Sequence, residues 1–396
     1  MELLEFQAKE LLTRFDIAVP RGRVVDSPSD AQRIASRLGF ARFAVKAQVF
    51  AGNRGAAGGV RFAASPEGVR ATSELLLGSR LVTTQTGPRG ETVRWVYIEE
   101  AIDALRSLYV AVLLDRDAGE LVLLASEAGG VDFEARAALD PALVVRERLV
   151  LAHDHGQTDF VRVAAQVGLD GAVAAEAGRL LSSLARLAAT LDATLIEINP
   201  LALTVERRLI ALDAKLTIDD NALFRHPALA ALRAANQVEE GDPEELAADR
   251  HQLNYQKMDG NIGVVVNGAG LALATLDMIA DAGGRPSNFM DIRTTATSID
   301  VAYGFELILA NPNVRAVLLN VHGGGMQRCD TIAEGVGIAM RRTGRNPPLV
   351  VRLAGNNAEF ARTRLQSYGI RFEEGADMQD AVSRAVVLAG DGRRAA

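Results

Sequence analysis

Ile196-Glu197-Ile198-Asn199-Pro200 is the stretch of this chain best suited to carry chemistry. Side chains in an extended segment alternate between faces, so Glu197 and Asn199 share one face while Ile196 and Ile198 share the other. A second strand, Leu209 to Leu212, is expected to return after the turn residues Glu206-Arg207-Arg208 and to deliver Asp213 beside them. Three oxygen-bearing side chains then converge above an apolar layer. Hard oxygen donors so arranged suit Mg²⁺, which takes one or two protein carboxylates and fills its shell with water and substrate phosphates. The polar edge of an ordinary hairpin has the same spacing, and spacing alone does not separate the two readings.

A second candidate lies earlier, where the strand Phe43 to Val49 carries Lys46 and runs into Ala51-Gly52-Asn53-Arg54-Gly55-Ala56-Ala57-Gly58-Gly59. Lysine offers a point charge to a phosphate, and glycines let backbone N–H groups approach anionic oxygens. No Gly-Lys-Ser/Thr closes the turn, so it is not a Walker sequence, and a surface hairpin is the plain alternative. In the last third, His322-Gly323-Gly324-Gly325-Met326-Gln327-Arg328-Cys329-Asp330 separates a strand ending at Asn320 from a helix expected near Thr331. Glycines ahead of a helix expose N–H groups at its positive end, which favours a phosphate or carboxylate. Asn267-Gly268-Ala269-Gly270, with Asp291 at the end of the next strand, approaches a dinucleotide fingerprint but lacks the third glycine. His153 and His155 read as surface residues, His322 as structural or ligand-facing, and Cys329 as a buried thiol.

These residues need a scaffold. At 396 residues the chain is too long for one core, so two or three domains are expected. Helical spacing marks Leu4 to Phe15, Ser29 to Leu38 and the run Leu180, Leu184, Leu187, Leu191 that leads into the opening motif. Tyr97 to Glu99 reads as a strand, and Leu108 to Leu114 with Leu121 to Ser126 as a hairpin. An acidic stretch around Glu239-Glu240-Gly241-Asp242-Pro243 divides the chain into a first domain, 1–236, a linker, 237–260, and a second domain, 261–396. Beyond it, strands at Ile262 to Val266, Phe289 to Ile292, Val314 to Asn320, Leu349 to Leu353 and Ile370 to Phe372 alternate with helices. That rhythm predicts a parallel sheet with ligands outside its carboxyl ends.

The charge of −7 without basic runs gives no footprint for nucleic acid or anionic membrane, and no apolar run approaches a membrane span. One cysteine excludes an internal disulfide and a cysteine-based zinc cluster. With an N-terminus that does not read as a leader, the chain is expected to be cytoplasmic.

Taken together, Glu5-Phe6-Gln7-Ala8-Lys9, Val45-Lys46, Arg54-Gly55, Ile196 to Leu201, Asn221 to Arg225, Asp259 to Gly263, Asn267 to Ala272 and Gly355 to Glu359 resemble the succinate and malate CoA ligases, specifically their ADP-forming β subunits. The resemblance implies an N-terminal ATP-grasp domain and a C-terminal flavodoxin-like CoA-ligase domain. It implies that Lys46, Asn53, Arg54, Gly55, Glu99, Ile102 and Ser107 hold ATP or GTP, and that Asn199 and Asp213 ligate Mg²⁺. Glu197 would face a phosphorylated histidine carried by a partner α subunit, which also holds most of the CoA site. Asn267 with Gly324, Gly325, Met326 and Gln327 would form the acid and phosphate site. Two rival readings are a stand-alone ATP-grasp carboxylate ligase and a silent paralogue kept as a binding subunit.

Departures from the family pattern cluster at the acid end. Asp291-Ile292-Arg293-Thr294-Thr295-Ala296 stands where the family has three consecutive glycines, His322 where an aromatic is usual, Phe50 for a histidine and Ser107 for a glutamate. The expectation is a CoA ligase for a carboxylic acid other than succinate, hydroxylated or larger.

Overall fold

The computed structural model describes all residues except 87–89, 150–157, 241–242, 325–326 and 391–396. The expected surface pair His153 and His155 therefore lies outside the described residues. Two compact units are formed, Met1–Ala231 and Leu232–Ala396.

Among the described residues the first unit holds a four-stranded antiparallel sheet in the order Gly22–Val25, Trp95–Glu100, Phe43–Gln48, Val60–Ala63. Its helices are punctuated as their sequences require. Ser27 accepts the Asp30 N–H ahead of Pro28–Leu38, and Gly39, at φ 63°, closes that helix in the left-handed region. A larger antiparallel sheet runs Leu209–Ala211, Ala193–Leu203, Arg106–Asp115, Glu120–Ser126, Val145–Leu149. Ala214–Ile218 also pairs with Ala193–Leu203, so the return strand is broken in two with Leu212 and Asp213 in the gap.

The expected alternation holds: Ile196 and Ile198 are buried to 1% and 0%, while Glu197 and Asn199 are partly open. The ladder then slips. Ile198 pairs with Val110 but Leu201 pairs with Leu108, so one extra residue is bulged out at Asn199-Pro200. Asn199 and Asp213 thus sit where two neighbouring strand pairings are interrupted together.

The second unit is a sheet in the order Leu253–Lys257, Asn288–Ile292, Ile262–Val266, Ala316–Gly323, Leu349–Gly355, Glu373–Glu374, parallel except for its first strand. Setting that edge aside, the chain order is that of a flavodoxin-like sheet, with its switch point between Ile262–Val266 and Ala316–Gly323. Both faces are covered. Val265, Val317 and Leu319 enter one core and Val264, Val266 and Leu318 the other, which is why these strands are apolar throughout.

Three expectations change here. The stretch 237–260, read as a linker, contains the helix Pro243–Arg250 and the antiparallel edge strand, because Ala248, Leu253 and Tyr255 bury themselves in the second core. The last strand is Glu373–Glu374 in place of Ile370 to Phe372, and the helix after the glycine loop begins at Cys329.

Gly355 ends its strand at φ +83°, and a Cβ there would lie 2.0 Å from the Gly323 carbonyl oxygen. Gly355→Ala is expected to destabilise the second unit by about 2 kcal/mol or more, through both strain and overlap. Urea unfolding of the variant against the parent chain checks it.

Candidate functional site

A cavity of about 340 Å³ opens in the first unit, lined by residues from every stretch that the sequence pointed to there. That volume is at the small end of the range for ligand pockets. Lys46, Asn53, Arg54, Gly55, Glu99, Ile102, Glu197, Asn199 and Asp213 all border it. Ser107 does not line it: it lies on the Arg106–Asp115 strand opposite Ala202.

Several charges in the cavity lining and next to it are buried. Lys46 and Arg54 are each 6% exposed, Glu5 and Glu99 2%, and Lys9 1%. Lys46 Nζ lies 2.9 Å from Glu5, 2.7 Å from Glu99 and 2.5 Å from the Leu212 carbonyl oxygen. Lys9 Nζ reaches the same three groups at 2.7, 2.6 and 2.7 Å. Arg54 spans Glu5 at 2.8 Å and Asp213 at 2.7 Å, and donates to the Ala47 carbonyl at 3.0 Å. Although burial works against a charged carboxylate, the Lys46, Lys9 and Arg54 cations hold the Glu5 carboxyl well below its usual range. Burial, reinforced by Glu5, pushes Glu99 upward against Lys9 and Lys46.

Glu5 and Lys9 were not among the expected site residues. A signal was present: an acid and a base four apart on a helix whose same face presents Leu12 to the core. Charges on a buried face need partners, and here the partners are the cavity's own cations and anions.

The glycine-rich turn is folded back on itself. Asn53 and Gly58 have φ of 63° and 77°, and Gly59 and Ala57 donate to Arg54 and Asn53 within the turn. Gly52 N–H is tied at 2.8 Å to Gln85, which Lys215 also approaches at 3.4 Å.

Also on the cavity lining, the Asn199 amide grips the Gly130 peptide, accepting its N–H at 2.6 Å and donating to its carbonyl at 3.2 Å. An amide oxygen holds two lone pairs, so one remains for a metal. Asp213 takes both Arg54 and the Ala214 N–H on Oδ1 and, among the described residues, keeps the other oxygen free of such bonds. Among the described residues no three His, Cys, Asp or Glu side chains cluster for a metal. One carboxylate plus one amide oxygen nevertheless fits Mg²⁺, which relies on water and phosphate for its remaining ligands. Glu197, in register with Ala111 and Lys215, has its carboxyl pushed up by burial and by Glu134 and Asp213, with Lys215 opposing.

In the second unit, Asn267 and the glycine loop meet at the switch point. The Asn267 amide accepts the His322 N–H at 2.9 Å and donates to its carbonyl at 2.8 Å. Gly324 and Gln327 exchange both backbone bonds at 3.2 Å, while Gly325 and Met326 lie outside the described residues. Cys329 is fully buried, donates to the Ala354 carbonyl and has its thiol pushed up by burial, as an inert residue would. Arg293 is engaged by Asp249 at 2.5 Å and Asn254 at 2.7 Å, and Asn254 in turn binds Asp291, which accepts the Gly268 N–H at 2.6 Å. Thr294 and Thr295 are exposed.

A carboxyl whose pKa is raised on folding binds more protons folded than unfolded, so stability falls as pH rises past the unfolded value. Glu197→Gln is therefore expected to stabilise the chain at pH 8, with a gain that vanishes as pH drops to about 4, the usual glutamate range. Thermal melts of both proteins across that interval provide the check.

Two family models match: an ATP-grasp domain over residues 2–203 and a CoA-ligase domain over residues 265–390. The succinate–CoA ligase [ADP-forming] subunit beta of Anaeromyxobacter dehalogenans is 43% identical over 389 residues, covering 98% of this chain and 99% of its own. Its counterparts in Koribacter versatilis and Paraburkholderia phytofirmans are 41% and 42% identical with the same coverage of both chains. Among solved structures, ATP citrate lyase from Methanothrix soehngenii, in complex with citrate and coenzyme A, shares the fold with a TM-score of 0.77 at 18% identity, covering 98% of this chain and 99% of that one. The chain belongs to the family of ADP-forming succinate–CoA ligase beta subunits, an ATP-grasp domain followed by a CoA-ligase domain.

Proposed function

We propose that this chain is the nucleotide-binding half of an ADP-forming acid–CoA ligase, working with a partner α subunit that carries a phosphorylated histidine and most of the CoA site. The observation that carries the reading is that Lys46, Arg54, Glu197, Asn199 and Asp213 all border one cavity, with Arg54 paired to Asp213. Buried cations beside oxygen donors in a small cavity suit a metal–nucleotide, and Ala44, Val60, Phe62 and Ile102 add an apolar lining for a base. Asn199 and Asp213 would hold Mg²⁺, which when bound neutralises phosphate charge and fixes the phosphate oxygens. Lys46 and Arg54 draw off the negative charge of the phosphoryl group as it transfers. Glu197, with its raised pKa, is suited to share a proton with an imidazole that enters to take or give the phosphate. The helix Cys329–Thr343 and the Gly324 to Gln327 turn would receive the phosphohistidine at the acid end, where acyl phosphate and then acyl-CoA form. Composition and charge support a cytoplasmic site of action, with a small carboxylic acid as substrate.

For the acid, the reading is one other than succinate. Arg293 is held by Asp249 and Asn254, so the loop 291–296 offers the acyl end altered backbone bulk and the hydroxyl of Thr294, with Arg293 already paired.

Asp213→Ala is expected to lower ATP-dependent phosphorylation of the partner's histidine by at least a hundredfold; unchanged labelling with radioactive ATP would remove the metal assignment. In a coupled assay over a panel of acids, a hydroxylated or larger acid is expected to exceed succinate in kcat/KM. The highest value for succinate would reject the altered specificity and leave the nucleotide site untouched.

A further inference from the structure

Of the two lysines that border the cavity, Lys46 and Lys215, Lys46 is fully engaged by protein acceptors. An ammonium has three protons, and three acceptors, Glu5, Glu99 and the Leu212 carbonyl, lie within 2.9 Å of Lys46 Nζ. No proton is left for a phosphate oxygen, so binding one requires Lys46 to give up at least one of these acceptors. Left alone, two carboxylates buried to 2% exposure would resist that strongly, because an unpaired buried charge is costly.

Lys9 removes the difficulty. It contacts the same three acceptors at 2.6 to 2.7 Å, is 1% exposed, and does not border the cavity that Lys46 lines. We propose that Lys9 is a positioning residue for nucleotide binding: it keeps Glu5, Glu99 and the Leu212 carbonyl neutralised and in place, so that Lys46 is free to turn from them to a phosphate. Leu212 precedes Asp213, so the same contact fixes the segment that bears the candidate metal ligand. The proposal rests on the cavity being a nucleotide site.

Charge balance gives the effects opposite signs. Lys9, Lys46 and Arg54 face Glu5, Glu99 and Asp213, three of each sign. Removing Lys9 leaves the carboxylates to grip Lys46 harder; neutralising Glu5 loosens that grip. Calorimetric titration of Mg²⁺ and ADP into the assembled two-subunit enzyme is expected to show at least tenfold weaker binding for Lys9→Met. Glu5→Gln should bind as tightly as the parent or tighter, and the double variant should return to within threefold of it. KM for CoA and for the acid should stay within twofold throughout.

Binding by Lys9→Met within twofold of the parent would overturn the proposal. So would Glu5→Gln weakening binding as Lys9→Met does, the pattern of a merely structural cluster. Should Lys9→Met not fold, Glu5→Gln or the double variant binding more than threefold weaker than the parent would overturn the proposal. Lys46→Met binding as well as the parent would instead remove the nucleotide reading itself, and this proposal with it.

Discussion

Two ammonium groups sharing one set of acceptors is the constraint on which the first unit depends. Glu5 and Lys9 come from the first helix, Lys46 from the strand Phe43–Gln48, Glu99 from Trp95–Glu100, and the carbonyl from Leu212 in the broken return strand. Burying charges costs several kcal/mol per ion after relaxation, and well-packed apolar residues would serve stability as well or better. The cluster therefore makes sense as a means of holding cations beside a cavity. Its members are each other's solvation, and this fixes where the helix, the two strands and the hairpin must meet.

The same economy governs the strands that carry Asn199 and Asp213. An unbroken ladder would lock every backbone group of Ala193–Leu203 into the sheet and keep its side chains in strict alternation. The bulge at Asn199-Pro200 and the gap at Leu212-Asp213 interrupt the pairings at one level. Asn199 is then free to clamp Gly130, and Asp213 to meet Arg54. Gly129 explains how the Gly130 loop comes so close: a Cβ there would lie 2.4 Å from the Leu108 carbonyl oxygen.

Part of this is legible in the sequence alone. Period-two alternation in Ile196 to Asn199 and the β-branched strands of the second half are local signals, and the elements they imply are present. Burial of Glu5 and Lys9 was not legible as function, because an acid and a base four apart read equally well as a solvated helix pair until the partners from distant strands are known. The edge strand Leu253–Lys257 was missed for a related reason. Its neighbours are acidic and polar, yet Leu253 and Tyr255 alternate inward against Met290 and Ile292, a contact that only the sheet order reveals. Arg293 is the reverse case: its charge is conspicuous in sequence, but its contacts with Asp249 and Asn254 tie it to the edge of its own unit.

The second unit relies on close backbone approach, with Gly323, Gly355 and the Asn267 clamp shaping the mouth above the parallel strands. Whether the first unit grips a nucleotide as its cations imply is open to direct observation. A crystal structure of the assembled enzyme with ADP and Mg²⁺ is expected to place a phosphate oxygen within hydrogen-bond distance of Lys46, the ion on Asn199 and Asp213, and Lys9 still bound to Glu5 and Glu99. Nucleotide bound elsewhere, or Lys46 retaining all three of its acceptors in the complex, would contradict it.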